Sequence, residues 1–558
     1  MFLVGRRTSI VLFVIVLAVL AGYVFWPALE VFSQGLRPSL IGKIFSSWRS
    51  ANVRALVNSV AISVYSVAGA GVVGTLLAYL FYRFDFPLRR FMMGVAVLPL
   101  ALPPLVGVLA FLFLYGESGI LPRTVQLLLG LDAVPFSFDG LWAVWLVHVY
   151  TMYVYFYLFV ASALRSIDGG LLEASADLGA RGLRTFVRVI LPQLRPSLIG
   201  ASLLVFMISM ASFTAPLLFA GNDPFLTLQI FNYKTNGNLD LSAAVSCVLT
   251  IICLIFLLAI ELGGRKKLHR TASKGVASKP TPVGKGLTRI FLMSGVALFL
   301  TLILLPIATI VLISLAETGS WTLQVIPERY TFENYAKLFS EPQILKPILN
   351  SLRMAGVATA ANIVFGVAAG LLISKVRLRG TTLLRILTAL PFAIPGTVIA
   401  VNLILTFNTP SPLSAGQVLV GTFWILPLAY FIRNIPLIVR ATTAALDGMD
   451  DSLVEASADL GARPRMTFRR VVLPLILPGV LAGTLLTFVA ALGEFVSSIM
   501  LYVYSNRPIS VEILAQLRLF DFGSAAAYSV LLMIMVVIAS LSTRLLSRGR
   551  SQLGEAFL

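Results

Sequence analysis

Cysteine is almost missing from this chain of 558 residues, which holds only Cys247 and Cys253. They lie six positions apart in one apolar run, so a helix does not place them on a common face. Neither a disulfide framework nor a thiolate metal site follows. Histidine is as scarce, at two residues. No cluster of His, Cys, Asp and Glu has metal-ligand spacing and no nucleophile constellation is visible, so a membrane-embedded enzyme is left without catalytic residues. Charge is the next shortage: 12% of positions are Asp, Glu, Lys or Arg, against 58% apolar. A water-soluble chain of this size cannot bury such a share, and the bilayer must be its main solvent. Acids are outnumbered 24 to 43 by Lys and Arg, for a net charge of +19. No nucleic-acid-binding motif accompanies that excess, and most of it lies in short loops between apolar runs, where it reads as a topology signal. Nucleic acid is therefore not an expected partner. A phosphate-cradling loop is also lacking. Gly42-Lys43-Ile44 and Gly284-Lys285-Gly286 have neither the preceding glycine spacing nor the following Ser or Thr.

What the chain has is length in apolar runs. Crossing the hydrocarbon core takes about 20 mainly apolar residues, and twelve runs qualify: 10–29, 56–82, 92–115, 141–164, 198–220, 241–262, 290–315, 350–374, 384–407, 418–440, 477–502 and 525–547. The fold class expected is an all-α membrane protein. The first run follows Arg6 and Arg7 and lacks an A-x-A site before Pro27, so it reads as an uncleaved first span. The basic residues concentrate on the side that holds both termini, which makes that side cytoplasmic. The largest contribution comes from 263–289, with eight basic residues, no acid, and the Gly, Ser and Pro content of a linker.

An internal repeat organises the rest. Glu173-Ala174-Ser175-Ala176-Asp177-Leu178-Gly179-Ala180-Arg181 recurs unchanged, 282 positions on, as Glu455-Ala456-Ser457-Ala458-Asp459-Leu460-Gly461-Ala462-Arg463. Nine identical, largely polar residues do not follow from membrane composition. The match continues through Phe186/Phe468, Arg188/Arg470, Leu191-Pro192/Leu473-Pro474 and Pro196/Pro478. Upstream, Asn58-Ser59/Asn350-Ser351, Pro99/Pro391 and Pro103/Pro395 pair at an offset of 292, which places an insertion between Gly116 and Gly140. Six spans separate the copies, so the halves point the same way, as a parallel repeat. The domains expected are a first six-span repeat (1–262), a basic cytoplasmic linker (263–289) and a second repeat (290–558).

The repeated element lies between the fourth and fifth spans of each half. Asp168 and Asp450 suit the start of a short helix. Glu173 and Asp177 stand four apart on one face, as do Asp177 and Arg181, giving one repulsive and one attractive pair. Gly179 and Gly461 allow a turn of positive φ at the helix end. A basic stretch follows, with Pro192 and Pro474 marking re-entry towards the membrane. Two copies at one surface suit insertion into grooves on two identical partner subunits.

The spacing E-A-[AS]-x-x-x-G, then nine residues, an aliphatic residue, one further residue and Leu-Pro resembles the signature of binding-protein-dependent ABC importer permeases. Glu173, Ala174, Ser175, Gly179, Val189, Leu191 and Pro192 fit it, as do Glu455, Ala456, Ser457, Gly461, Val471, Leu473 and Pro474, with valine where the family most often has isoleucine. The layout over nearly the whole chain is similar to the fused two-domain permeases of ferric-iron and thiamine importers. The resemblance implies that Glu173, Ala174, Ser175, Gly179 and their copies Glu455, Ala456, Ser457 and Gly461 form coupling loops. These would dock on two copies of an ATP-binding subunit, which carries the ATP and magnesium. It implies an extracytoplasmic substrate-binding protein, a bacterial or archaeal cytoplasmic (inner) membrane, and Fe(III) ahead of thiamine, phosphonate or sugar phosphate as substrate. With no phosphate-cradling loop of its own, this chain is expected not to be an enzyme itself and to bind no cofactor, ATP hydrolysis being supplied by a separate subunit.

Few polar groups are left inside the spans. Glu494, in Ala491-Leu492-Gly493-Glu494-Phe495, is the carboxylate expected well within one, either on the substrate path or hydrogen-bonded to a neighbouring helix. Its repeat equivalent is Ser212. His148 reads as a packed interfacial histidine. Gly74/Ala78 and Gly366/Gly370 form small-xxx-small pairs that allow close helix approach, and the prolines at 99, 103, 104, 391 and 395 should break the third span of each half. An ion-coupled secondary transporter would need charged relays inside the membrane, for which only Glu494 and His148 are available, and would leave the duplicated motif unexplained.

Overall fold

A computed structural model describes residues 6–180, 182–265, 280–283, 286–321, 324–376 and 380–547. Most of the expected linker, and Arg181, lie outside the described residues. Almost everything described is helix, and the helices form two series in the same order. The first half holds α1 (Arg7–Gly35), α2 (Ala51–Arg83), α3 (Arg89–Ala96), α4 (Pro104–Tyr115), α5 (Gly140–Arg165), α6 (Gly169–Asp177), α7 (Leu183–Met210), α8 (Thr214–Phe219), α9 (Leu226–Thr235) and α10 (Leu239–Arg265). The second holds α11 (Leu287–Ser314), α12 (Pro342–Lys375), α13 (Thr381–Phe392), α14 (Gly396–Phe407), α15 (Ile425–Asp447), α16 (Ser452–Asp459), α17 (Pro464–Leu492), α18 (Val496–Leu501), α19 (Ile509–Arg518) and α20 (Phe522–Ser547). Each of these first-half helices has its counterpart ten labels later.

Among the described residues, eleven helices are long and apolar enough to cross a membrane, and the bent pair α13–α14 supplies a twelfth span. That pair turns by 104°. The cause is Pro395, which sits at the start of α14 with an extended ψ of 148° and cannot continue the helix before it. Pro103 does the same before α4, at ψ 137°. The runs 92–115 and 384–407 are therefore broken spans, as their prolines require.

Two boundaries move further. The runs 198–220 and 477–502 were expected as spans, but the long helices there are α7 and α17, beginning at Leu183 and Pro464 and ending at Met210 and Leu492. The basic stretches after Gly179 and Gly461 are the first turns of these helices, not separate surface segments. Pro192 and Pro474 sit inside them, each preceded by a π-helical turn, Phe186–Ile190 and Phe468–Val472. The wider turn accommodates a residue that has no N–H to give and whose ring crowds the preceding carbonyl.

The halves interlock. Residues of α1 pack on the second half: Tyr23 donates to the Leu413 carbonyl at 2.8 Å, and Thr406 donates to Glu30 Oε2 at 2.8 Å. In return Val296, Leu300 and Ile303 of α11 join the core around α2 and α5, and Tyr150 donates to the Ile303 carbonyl at 2.9 Å. Within each half, α2 lies on α5 and α12 on α15 at close range. A Cβ on Gly74 would come 2.6 Å from Phe156 Cβ, and one on Gly370 2.6 Å from Thr442 Cγ2, so the small residues are there for packing. The insertion between Gly116 and Gly140 holds a ten-residue helix, Ile120–Leu129. Both cysteines are buried and free.

Candidate functional site

The duplicated sequence folds the same way twice. Asp168 Oδ1 accepts the Gly170 N–H at 3.0 Å and Asp450 Oδ1 accepts the Ser452 N–H at 2.9 Å, covering donors left open at the starts of α6 and α16. The backbone bond from Ser452, with that from its side chain, holds the Asp450 carboxyl below the usual carboxylate range. At the other end, Gly179 and Gly461 adopt φ of 77° and 75°. Their N–H groups reach back to Ala176 and Ala458, while Ala180 and Ala462 reach the carbonyls of Ser175 and Ser457 at 2.9 and 3.1 Å. This double closure needs a left-handed residue, which glycine supplies without strain.

Of the motif residues, Ser175 and Ser457 turn inward and clamp the loop to the following helix, through Thr185 Oγ1 at 3.3 Å and Thr467 Oγ1 at 2.9 Å. Glu173, Ala174, Glu455 and Ala456 are exposed. Beside the glycines, Leu178 and Leu460 are each 88% exposed. An apolar side chain held out on a closed turn, twice and identically, is a feature that association would bury.

The second centre lies where α7 and α17 end. Glu494 does not sit mid-span as expected. It occupies the three-residue break between α17 and α18, because the span begins earlier in the chain. The side chain is 7% exposed and fully engaged. Its Oε2 meets Arg433 Nε of α15 at 2.9 Å, and its Oε1 accepts the Ser497 N–H at 2.9 Å. Its main-chain oxygen accepts from Ser498 and Ser510 at 2.7 and 2.9 Å. Arg433 in turn presses on Gly396 at the bend into α14, where a Cβ would have no room. In the first half the same break holds Ser212, whose hydroxyl meets His148 Nε2 at 2.8 Å, with Ser66 and Ser209 on Nδ1 at 3.0 and 3.1 Å. His148 is buried as a packed bridge between helices. The two breaks meet at the junction of the halves: the repeat-equivalent rings of Phe213 and Phe495 lie 6.1 Å apart, and Gly493 faces Pro103.

Comparison with known proteins agrees with this architecture. The family described as binding-protein-dependent transport system inner membrane component matches residues 70–266 and again 362–552, together more than half of the chain. The chain belongs to this family. It is 29% identical to the Probable ABC transporter permease protein of Sinorhizobium fredii over 90% of its own length and 89% of that protein's. It is 26% identical to the ferric transport system permease protein of Actinobacillus pleuropneumoniae, over 96% of this chain and 77% of that one. The sulfate transport system permease protein of Salmonella typhimurium is 29% identical over 40% of this chain and 85% of its own length. This is an ABC importer permease with two copies of the family domain in one polypeptide, which sets the secondary-transporter and enzyme readings aside.

Sequence reasoning missed part of the permease's polar interior. The side chain of Glu512 of α19 is 4% exposed and meets Arg507 at 2.5 Å. Its segment is too short to read as a span, and the signal available was an acid in the apolar stretch Ile509-Ser510-Val511-Glu512-Ile513-Leu514. The duplicated Asn-Ser pairs gain a role as well. Ser59 accepts the N–H of Leu226 at 3.1 Å and Ser351 that of Ile509 at 2.8 Å, so each caps a helix start, of α9 and α19, from another helix. No group of three or more His, Cys, Asp and Glu suited to a metal occurs among the described residues.

Proposed function

We propose that this permease carries its substrate inward by alternating access, driven by two copies of a separate ATP-binding subunit that seat on α6 and α16. Both termini then lie in the cytoplasm, with a substrate-binding protein delivering cargo from outside. The observation that carries the reading is the pair of identical loops, each closed on a left-handed glycine and each presenting one leucine outward. Closure of the ATPases pulls both loops together, and since the glycine turns that end α6 and α16 lead into α7 and α17, the motion reaches the breaks at Ser212 and Glu494. Fe(III) is the substrate we favour, because the ferric relative matches both halves whereas the sulfate relative covers less than one half. Thiamine, phosphonates and sugar phosphates stand behind it.

The test is ATP-dependent uptake in proteoliposomes holding the permease, its ATPase and its binding protein. Gly179→Val and Gly461→Val force a β-branched residue into positive φ, which strains or opens the turn. Each should abolish uptake while insertion into the bilayer stays normal. Normal uptake by both variants would sink the docking reading.

A further inference from the structure

The pair Arg433–Glu494 is unequal in its access to water. Glu494 is 7% exposed and all its oxygens are engaged, whereas the side chain of Arg433 is 35% exposed. That exposed portion has to meet water and not lipid, since a guanidinium in hydrocarbon is costly. It lies where the breaks of the second half converge, beside the junction with the first. Two polar atoms there are buried without a hydrogen-bond partner: Arg433 Nη1, and Thr397 Oγ1 on the residue after Gly396. Both are able to donate. Donors kept dry and unpaired are costly in a resting protein and become useful when a ligand accepts from them. The first half offers nothing comparable, with Thr151, Pro104 and Ser212 at the positions of Arg433, Gly396 and Glu494.

We propose that Arg433 is a specificity-determining residue of the pathway, reading an oxyanion. That anion is either the free substrate or a ligand carried on iron, and Glu494 holds the guanidinium in position. The assignment rests on the importer reading above and sharpens it: a bare trivalent cation would meet the wrong charge at the centre. The planar fork of arginine suits carboxylate, phosphate and sulfate oxygens.

Two variants separate this role from packing. R433Q/E494Q removes both charges at once, so no uncompensated ion stays buried. It should assemble with the ATPase and melt like the parent, yet lose uptake by at least about tenfold, the loss expected when a buried charged contact is removed. Uptake at the parental rate overturns the proposal. If the double variant does not assemble, R433K decides. Lysine keeps the ion pair without the fork, so a substrate contact requires a raised KM at unchanged assembly, and an unchanged KM overturns it. The cargo is resolved by giving the wild-type complex radiolabelled sulfate, radiolabelled phosphate, ferric citrate labelled on both iron and citrate, and labelled thiamine. Sulfate or phosphate uptake supports a free oxyanion, and iron entering with citrate or phosphate supports a coordinated one. Iron entering with neither, or thiamine uptake, overturns the proposal and leaves the importer reading standing. No ATP-dependent uptake of any probe overturns both.

Discussion

The two halves share a fold and a surface motif but differ at their centres. Where the first half closes its helix break with a neutral cluster around His148 and Ser212, the second uses a buried ion pair, Arg433–Glu494. The flanking framework is conserved in kind, since Thr227 donates to the Ser212 carbonyl at 2.7 Å as Ser510 does to that of Glu494. His148 and Tyr430 also stand at equivalent positions, each meeting a hydroxyl beside the break. The lesson is that the backbone break needs only polar side chains to satisfy it, so the charge in one half is an addition to the architecture and not a requirement of it.

The largest effect on that comparison should come from Arg433→Gln alone. It strands a carboxylate that is almost fully enclosed, and losing one partner of a buried pair costs about 3–5 kcal/mol. Glu494→Gln should cost less, about 1–3 kcal/mol, because the arginine it strands is only partly buried. Melting curves of the two purified variants give the order directly. Equal losses would mean that both members of the pair are equally dry, and the contrast in access would have to be given up.

On the neutral side, His148→Leu should be milder, about 1 kcal/mol, although three hydroxyls lose a partner. Ser66 also donates to the Ile62 carbonyl at 2.6 Å, and Ser209 keeps Ser63 at 3.0 Å, so neither is left without a bond. A loss as large as that of Arg433→Gln, in the same melting assay, would show the first half to be as dependent on its cluster as the second is on its charges.

How much of this was legible depended on what kind of signal each feature leaves. The repeat, the family and the left-handed glycines were readable because identical residues recur at fixed spacing, and only glycine suits that turn. The broken third spans were readable because proline cannot be paired within a helix. The starts of α7 and α17 were not. Hydropathy sees Arg184, Arg188, Arg469 and Arg470 as loop, yet a helix rising from the membrane surface carries such residues in its first turns without leaving the helix. Glu494 was found by its charge but misplaced for that reason, and its partner Arg433 was overlooked although it falls inside the expected run 418–440, where a charge is a signal of the same kind. The crossing of α1 onto the second half left no mark in the sequence, since it is a matter of which apolar face meets which.

The smallest expected effect concerns the two loops, which are equal in sequence but not in fastening. In the second half Lys375, at the end of α12, pairs with Asp451 at 2.5 Å, and Ser374 bonds to Asp447. The corresponding first-half positions are Arg83, Gly169, Tyr82 and Arg165, where the glycine offers no carboxylate and both charges are basic. The second loop is therefore tied to the helix beside it by an ion pair that has no equivalent at the first loop among the described residues. Asp451 is largely exposed, so the tie is worth no more than about 1 kcal/mol. Lys375→Ala should leave uptake nearly unchanged and show itself locally: amide hydrogen exchange in α16 should rise towards that of α6, which it trails in the parent. Should the two helices already exchange alike before the substitution, the fastening has no energetic weight and the loops are equivalent in practice as they are in sequence.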